Sequence, residues 1–295
     1  MTLKNIKKFV AKAGLITSIG LLNTSLCMAE TSVWKVSKGE DQVYIGGTVH
    51  ILPASEFPLP AEFLTAYQAT DTIVLETQLP DPTDTSFQAK LMQQVSYTND
   101  QKLSDKLSDE TFKQLETHLA AFGINVNEMN GFKPGFIVMM MAMLEAKRAQ
   151  LAGEGVDAYF NKLAAKDNKG KEYLESSDFQ INLIANMGHG NEEELMRSSI
   201  AQMGEFKEMF NKLLPAWRTG DSDTLVELVI DKVKDEDPDT FKKMFTERNQ
   251  NWIPLIEKMF NDNDKEFVLV GVGHLVGENN VLALLEKSGY QVTKL

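Results

Sequence analysis

Strand-length apolar runs stand at the two ends of this chain, and a long stretch in helical spacing separates them. Near the start are Ser32 to Val36 and Gln42 to Ile45, divided by the turn-rich Lys38-Gly39-Glu40-Asp41, and then Thr72 to Leu75. Near the end are Glu266 to Val270 and Tyr290 to Thr293, with a helical segment from Asn280 to Lys287 between them. Buried strands satisfy their backbone groups by pairing, so the early and late runs are expected to share one sheet. The expected fold is α/β: a mixed sheet built from both chain ends, with a large helical insertion over about residues 85–260 that contains one strand at 172–174.

The helical signals are local and physical. Ser108-Asp109-Glu110 places a cap residue and two acids ahead of Phe112, Leu115, Leu119 and Phe122, and Gly123 follows as a stop. Pro134 can open a helix carrying Ile137, Met140, Met141, Leu144 and Leu151 before Gly153. Further helices are expected over Ala61 to Ala69, Val156 to Lys166, Phe179 to Met187, Glu192 to Leu214, Ser222 to Val233 and Thr240 to Phe260. The methionine-rich run Met139 to Met143 reads more simply as one buried helix face than as an adaptable peptide-binding surface.

The first 29 residues read differently. Lys4, Lys7, Lys8 and Lys12 form a positive region, Ala13 to Leu26 is mostly apolar without charge, and Cys27-Met28-Ala29 suits cleavage after Ala29. This is the pattern of a secretory signal peptide, which makes residues 30–295 the working domain and predicts a periplasmic or secreted protein. The apolar run is short of the roughly 20 residues that span a bilayer, so no stable membrane insertion is expected after cleavage. Lipidation at Cys27 is disfavoured by Leu26. Because Cys27 is the single cysteine, the mature chain has none, which excludes a disulfide-stapled scaffold or a thiolate metal site. The formal charge of −12, made more acidic by losing four lysines, argues against nucleic acid.

Four reactive side chains fall at or just beyond the ends of expected strands: His50 after Tyr44 to Val49, Glu76 after Ile73 to Leu75, Glu175 after Leu174, and His274 after Val268 to Gly273. In α/β sheets the carboxyl edge is where loops diverge and leave room for a ligand. Imidazole and carboxylate together suit a divalent ion with an open position, or acid–base chemistry. Both histidines follow a Gly-x-x-His spacing, Gly47 before His50 and Gly271 before His274, where glycine permits a sharp turn and close backbone approach. The other two histidines, His118 and His189, read as structural or solvated. Trp217 and Trp252 can floor a cleft or pack helix on sheet.

These elements resemble the TraB/GumN family, which includes the TIKI metalloproteases and is distantly similar to erythromycin esterase and ChaN-like proteins. The resemblance rests on YIGGTVHILP, DTIVLET, GVDAYFNKLAAKDNKGKEYLESSDFQ, LPAWRTGD, TERNQNWIPLIEKMF and FVLVGVGHLVGENNVLALLEKSGYQV, and so covers nearly all of the mature chain. It implies His50 and His274 as signature histidines and Glu76 and Glu175 as signature acids, with Gln180, Asp157, Arg248 and Asn249 at further matching positions.

The expectation that follows is an exported metal-dependent hydrolase of peptide or amide bonds, acting on a peptide or an envelope-derived substrate. His50, His274 and Glu76 would hold a divalent ion (manganese, cobalt or zinc). Glu175 could share in holding it, whichever of Glu76 and Glu175 is not bound to the ion would take the proton of the attacking water, Arg248 would stabilise the oxyanion, and Gln180 or Asn249 would orient substrate. The alternative is a non-catalytic periplasmic protein that binds a metal, haem or an envelope ligand in the same cleft.

Overall fold

The computed structural model describes residues 31–79, 83–261 and 263–295, so the expected signal segment with Cys27 lies outside the described residues. In chain order the elements are β1 (Val33–Lys38), β2 (Asp41–Thr48), α1 (Ala61–Gln68), β3 (Thr72–Leu75), α2 (Thr85–Val95), α3 (Asp109–Ala120), α4 (Val126–Met129) and α5 (Pro134–Arg148). There follow α6 (Val156–Asp167), β4 (Gly170–Tyr173), α7 (Ser177–Ala185), α8 (Glu192–Thr219), α9 (Ser222–Leu225) and α10 (Lys232–Glu236). The last are α11 (Pro238–Phe241), α12 (Glu247–Lys258), β5 (Glu266–Gly271), α13 (Val281–Lys287) and β6 (Gln291–Lys294). No helix among the described residues is long and apolar enough to cross a membrane.

The six strands form one sheet in the order β4-β3-β5-β2-β1-β6. The fold is thus mixed α/β, and early and late strands interleave as expected. β4, β3, β5 and β2 run parallel, while β1 pairs antiparallel with both β2 and β6. The central strands are buried on both faces. In β5, Phe267 and Leu269 join the larger core beneath α1, α5, α6 and α8, whereas Val268 and Val270 join a second core with Trp252 and Ile256 of α12 and Leu285 of α13. Helices therefore cover both faces of the sheet.

Four expectations need correction in detail. β2 runs on to Thr48 because Gly46 and Gly47 pair with Leu269 and Val270 of β5, and a side chain at Gly46 would strike the Phe267 ring at 2.9 Å. β4 starts at Gly170, earlier than expected, as an exposed edge strand with little apolar signal. α8 passes through Pro215 to Thr219 and is closed by Gly220 in the left-handed region, φ 60°. The stretches Ser222 to Val233 and Thr240 to Phe260 each contain a π-helical segment, Val226–Asp231 and Lys242–Thr246.

A candidate active site at the carboxyl edge of the sheet

Because β2, β3, β4 and β5 are parallel, the residues that follow them emerge at one edge. The backbone bonds Leu174 N–H to Leu75 O (3.0 Å) and Glu175 N–H to Glu76 O (2.8 Å) prolong the β3–β4 pairing and set the two acids side by side. A Cβ at Gly271 would lie 3.3 Å from Glu76 Oε1, 3.7 Å from His274 Cδ2 and 3.8 Å from His50 Nε2. The structure thus brings His50, Glu76 and His274 around one point, which glycine leaves open. Neither Gly47 nor Gly271 has a positive φ, so close approach, and not a sharp turn, accounts for both.

Arg248, from α12, lies among these groups and is 5 % exposed. Its Nε donates to Glu175 Oε1 (2.8 Å), and its Nη2 donates to Glu175 Oε2 (3.0 Å) and to Glu76 Oε2. Its Nη1 reaches His274 Nε2 (3.0 Å) and the Met244 carbonyl (3.2 Å). All five guanidinium N–H groups are therefore engaged. Arg248 was expected to meet an oxyanion, but it has no donor left over. It acts here as a buried cation that ties two carboxylates and an imidazole together.

The surrounding residues complete this network. Gln180 Nε2 donates to Glu76 Oε2 (3.2 Å) and Glu175 Oε2 (3.3 Å), and Trp252 Nε1 donates to Glu175 Oε1 (2.9 Å). Asn249, 3 % exposed, accepts from His274 Nδ1 (2.6 Å) and donates to the Asn279 carbonyl (3.0 Å). Both ends of the amide expected to orient substrate are thus spent within the protein, one of them on the histidine. Since Asn249 Oδ1 can only accept and Arg248 can only donate, His274 carries its hydrogen on Nδ1 and accepts at Nε2.

His50 is placed differently. Its imidazole faces the cavity, 65 % accessible, and its Nδ1 stands 3.1 Å from Asp157 Oδ1. Asp157 is in the first turn of α6, and two features pin that turn to the His50 loop. Val156 N–H donates to the Val49 carbonyl (3.1 Å), and Gly155 lies so close that a Cβ would sit 2.4 Å from the His50 carbonyl oxygen and 2.8 Å from its Cα. The expectations gave Asp157 no role. The Gly-x-Asp opening of a helix was the available signal, but its meaning depends on where α6 docks. Gly155→Ala is expected to lower stability by about 1–3 kcal/mol by forcing α6 away from His50; urea titration of both proteins measures this, and an unchanged midpoint would contradict it.

The environments separate the charges. The Asp157 carboxylate raises the His50 pKa from 6.5 to about 9, with Glu76 adding to the rise and Arg248 opposing it. Burial pushes His274 down to about 3, aided by Arg248, so it is neutral near pH 7. Burial alone would raise Glu76, yet His274, Arg248 and His50 outweigh it and bring the carboxyl to about 2. With His274 neutral, Arg248 and the protonated His50 are the cations that keep Glu76 ionised at neutral pH.

The divalent ion implied by the resemblance needs free lone pairs. The His274 Nε2 pair is committed to Arg248, Glu76 Oε2 accepts from Arg248 and Gln180, and Oε1 accepts the Gly271 N–H (2.7 Å). A fixed guanidinium in the same space also repels a second cation. No group of three or more His, Cys, Asp or Glu among the described residues is arranged to hold a metal. As arranged, only His50 Nε2 and the second lone pair of Glu76 Oε1 stay open, so the three expected ligands do not all offer a donor to one ion.

The cavity has two lobes that share Thr48, His50, Ile51 and Glu76, with volumes of about 460 and 330 Å³. A separate groove beside α7 and the Lys242–Thr246 segment touches none of His50, Glu76, Glu175, Arg248 or His274. Trp217 belongs to the core, where its Nε1 donates to the Gly47 carbonyl (2.7 Å). His118 pairs with buried Glu145, and His189 is exposed.

The sequence model described as TraB/PrgY/gumN family matches residues 32–294. No curated protein and no solved structure gives a significant match to the chain.

Proposed function

Since the chain belongs to the TraB/PrgY/gumN family, we propose that it is a hydrolase of peptide or amide bonds, exported by way of residues 1–29, with His50 as the working acid–base group. The observation that carries this reading is the imidazole itself. It is oriented through Nδ1 by Asp157 at 3.1 Å and faces a cavity beside the ionised carboxylate of Glu76.

With Nδ1 held by Asp157, Nε2 is the nitrogen presented to the cavity. In its neutral form it accepts a proton from water as the water oxygen attacks the carbonyl carbon. The imidazolium then returns that proton to the amide nitrogen as the carbon–nitrogen bond breaks. Asp157 and Glu76 stabilise the imidazolium, and the Arg248–Glu175–Trp252 network holds Glu76 in position. No step in this reading passes through a metal, because Arg248 occupies His274 Nε2 and Glu76 Oε2, two of the donor atoms expected to hold one.

The test is turnover of a random peptide library by the wild type and by His50→Ala. The wild type is expected to cleave and the variant to have lost cleavage. Saturable binding without cleavage by the wild type would instead indicate the binding-protein alternative. Dialysis against EDTA is expected to leave both the turnover rate and the thermal midpoint unchanged. Loss of activity on chelation, restored by manganese, cobalt or zinc, would sink the metal-free mechanism. Mass determination of the N-terminus of the protein expressed in bacteria tests export, with removal of the first 29 residues expected.

A further inference from the structure

The two lobes differ from the polar centre in one consistent way. Every ionisable side chain that lines them, His50, Glu76, Asp157, Arg248 and His274, belongs to the polar centre, and the outer walls carry none. On one side α5 supplies Met139, Ala142 and Met143, a stripe at helical i, i+3, i+4 spacing. Ile137 and Met141 face the core from the same helix. The methionine run is therefore split: part is a buried helix face, as expected, and part is cavity wall. Met143 is 62 % exposed, a large apolar side chain facing water beside a reactive centre. On the other side Phe210, Leu213 and Val272 meet Val229, Met244 and Phe245. The last three come from the two π-helical segments, a backbone irregularity that recurs at functional sites.

We infer that the site takes a substrate with large apolar side chains on both sides of the bond it holds, the α5 lobe accepting varied shapes and the π-segment lobe a bulky one. This rests on the proposal that the bond is cleaved between His50 and Glu76. The reasoning is one of desolvation. A lysine or aspartate side chain entering either lobe would lose water and meet no counter-charge on the walls, whereas an apolar one gains contact area. Unbranched, polarisable methionines adapt to differing shapes, while aromatic walls favour a flat or bulky partner.

The test is binding, so that it is independent of cleavage. Blocked hexapeptides with central Leu-Phe, Lys-Phe, Leu-Lys and Lys-Lys are titrated into the full chain by fluorescence anisotropy. Leu-Phe is expected to bind at least about tenfold more tightly than either singly substituted peptide. Met143→Glu is expected to recover affinity for lysine on one side of the bond, and Met244→Glu on the other. Ala142→Trp, which fills the α5 lobe, is expected to weaken Leu-Phe. Equal affinity for the four peptides, binding of none, or both glutamate variants acting on the same side overturns the inference. Tight Leu-Phe binding with no cleavage of any peptide sinks the hydrolase reading and leaves this one standing, whereas cleavage without side-chain preference does the reverse.

Discussion

Arg248→Met is expected to destabilise the protein by about 3–5 kcal/mol, because it leaves two largely buried carboxylates without the guanidinium that hydrogen-bonds both. Glu76 and Glu175 are 11 % and 8 % accessible at the side chain, so water replaces the lost guanidinium only in small part. The pH dependence separates this cause from simple loss of packing. In the wild type the folded Glu76 pKa of about 2 lies below its ordinary 4.5, so its stabilisation is present above pH 4.5 and is lost as the pH falls toward 2. In the variant burial acts unopposed by Arg248 and the carboxyl is pushed upward, so the penalty is greatest at neutral pH and shrinks on acidification. Urea unfolding at neutral pH and near pH 4 measures both. A difference that is the same at the two pH values would show that Arg248 acts by filling space and not by charge.

Much of this arrangement is legible in the sequence, for a reason that also sets the limit. Strand-end placement follows from local pattern: Thr72 to Leu75 reads as a buried strand, the structure has β3 over those residues, and Glu76 must then stand at its carboxyl edge. The same reasoning brings His50 and His274 to that edge once β2 and β5 are parallel neighbours. What joins these residues is set by helix docking, which has no local signature. The apolar spacing of α12 fixes Trp252 and Ile256 against the sheet, but not that Arg248, one turn earlier, spends all five donors within the protein. Asn249 looked like a substrate contact for the same reason, since nothing in its neighbours announces the buried imidazole that it holds. The π-helical segments are invisible to a 3.6-residue period, so the walls they contribute to the cavity, Val229, Met244 and Phe245, could not be read from spacing.

The structural and chemical roles of the site fall on different residues, and this gives the second large effect. His50→Ala is expected to reduce kcat/KM by about 10²–10⁴-fold while moving the unfolding midpoint little, because its imidazole is 65 % accessible. His274→Ala, by contrast, removes a 3 %-exposed ring held by Asn249, Arg248 and the Trp252 face, and is expected to cost stability first. Asp157→Asn tests how His50 is tuned. Removing the carboxylate withdraws the main support of the imidazolium, so the His50 pKa falls from about 9 toward its ordinary 6.5. If neutral His50 is the base, wild-type kcat/KM rises with pH through about 9, and in Asp157→Asn the same limb moves to lower pH. Asp157→Glu, which restores the charge, is expected to return the limb most of the way. An alkaline limb that stays in place in Asp157→Asn would mean that some other group accepts the proton, and the role assigned to His50 would have to be withdrawn.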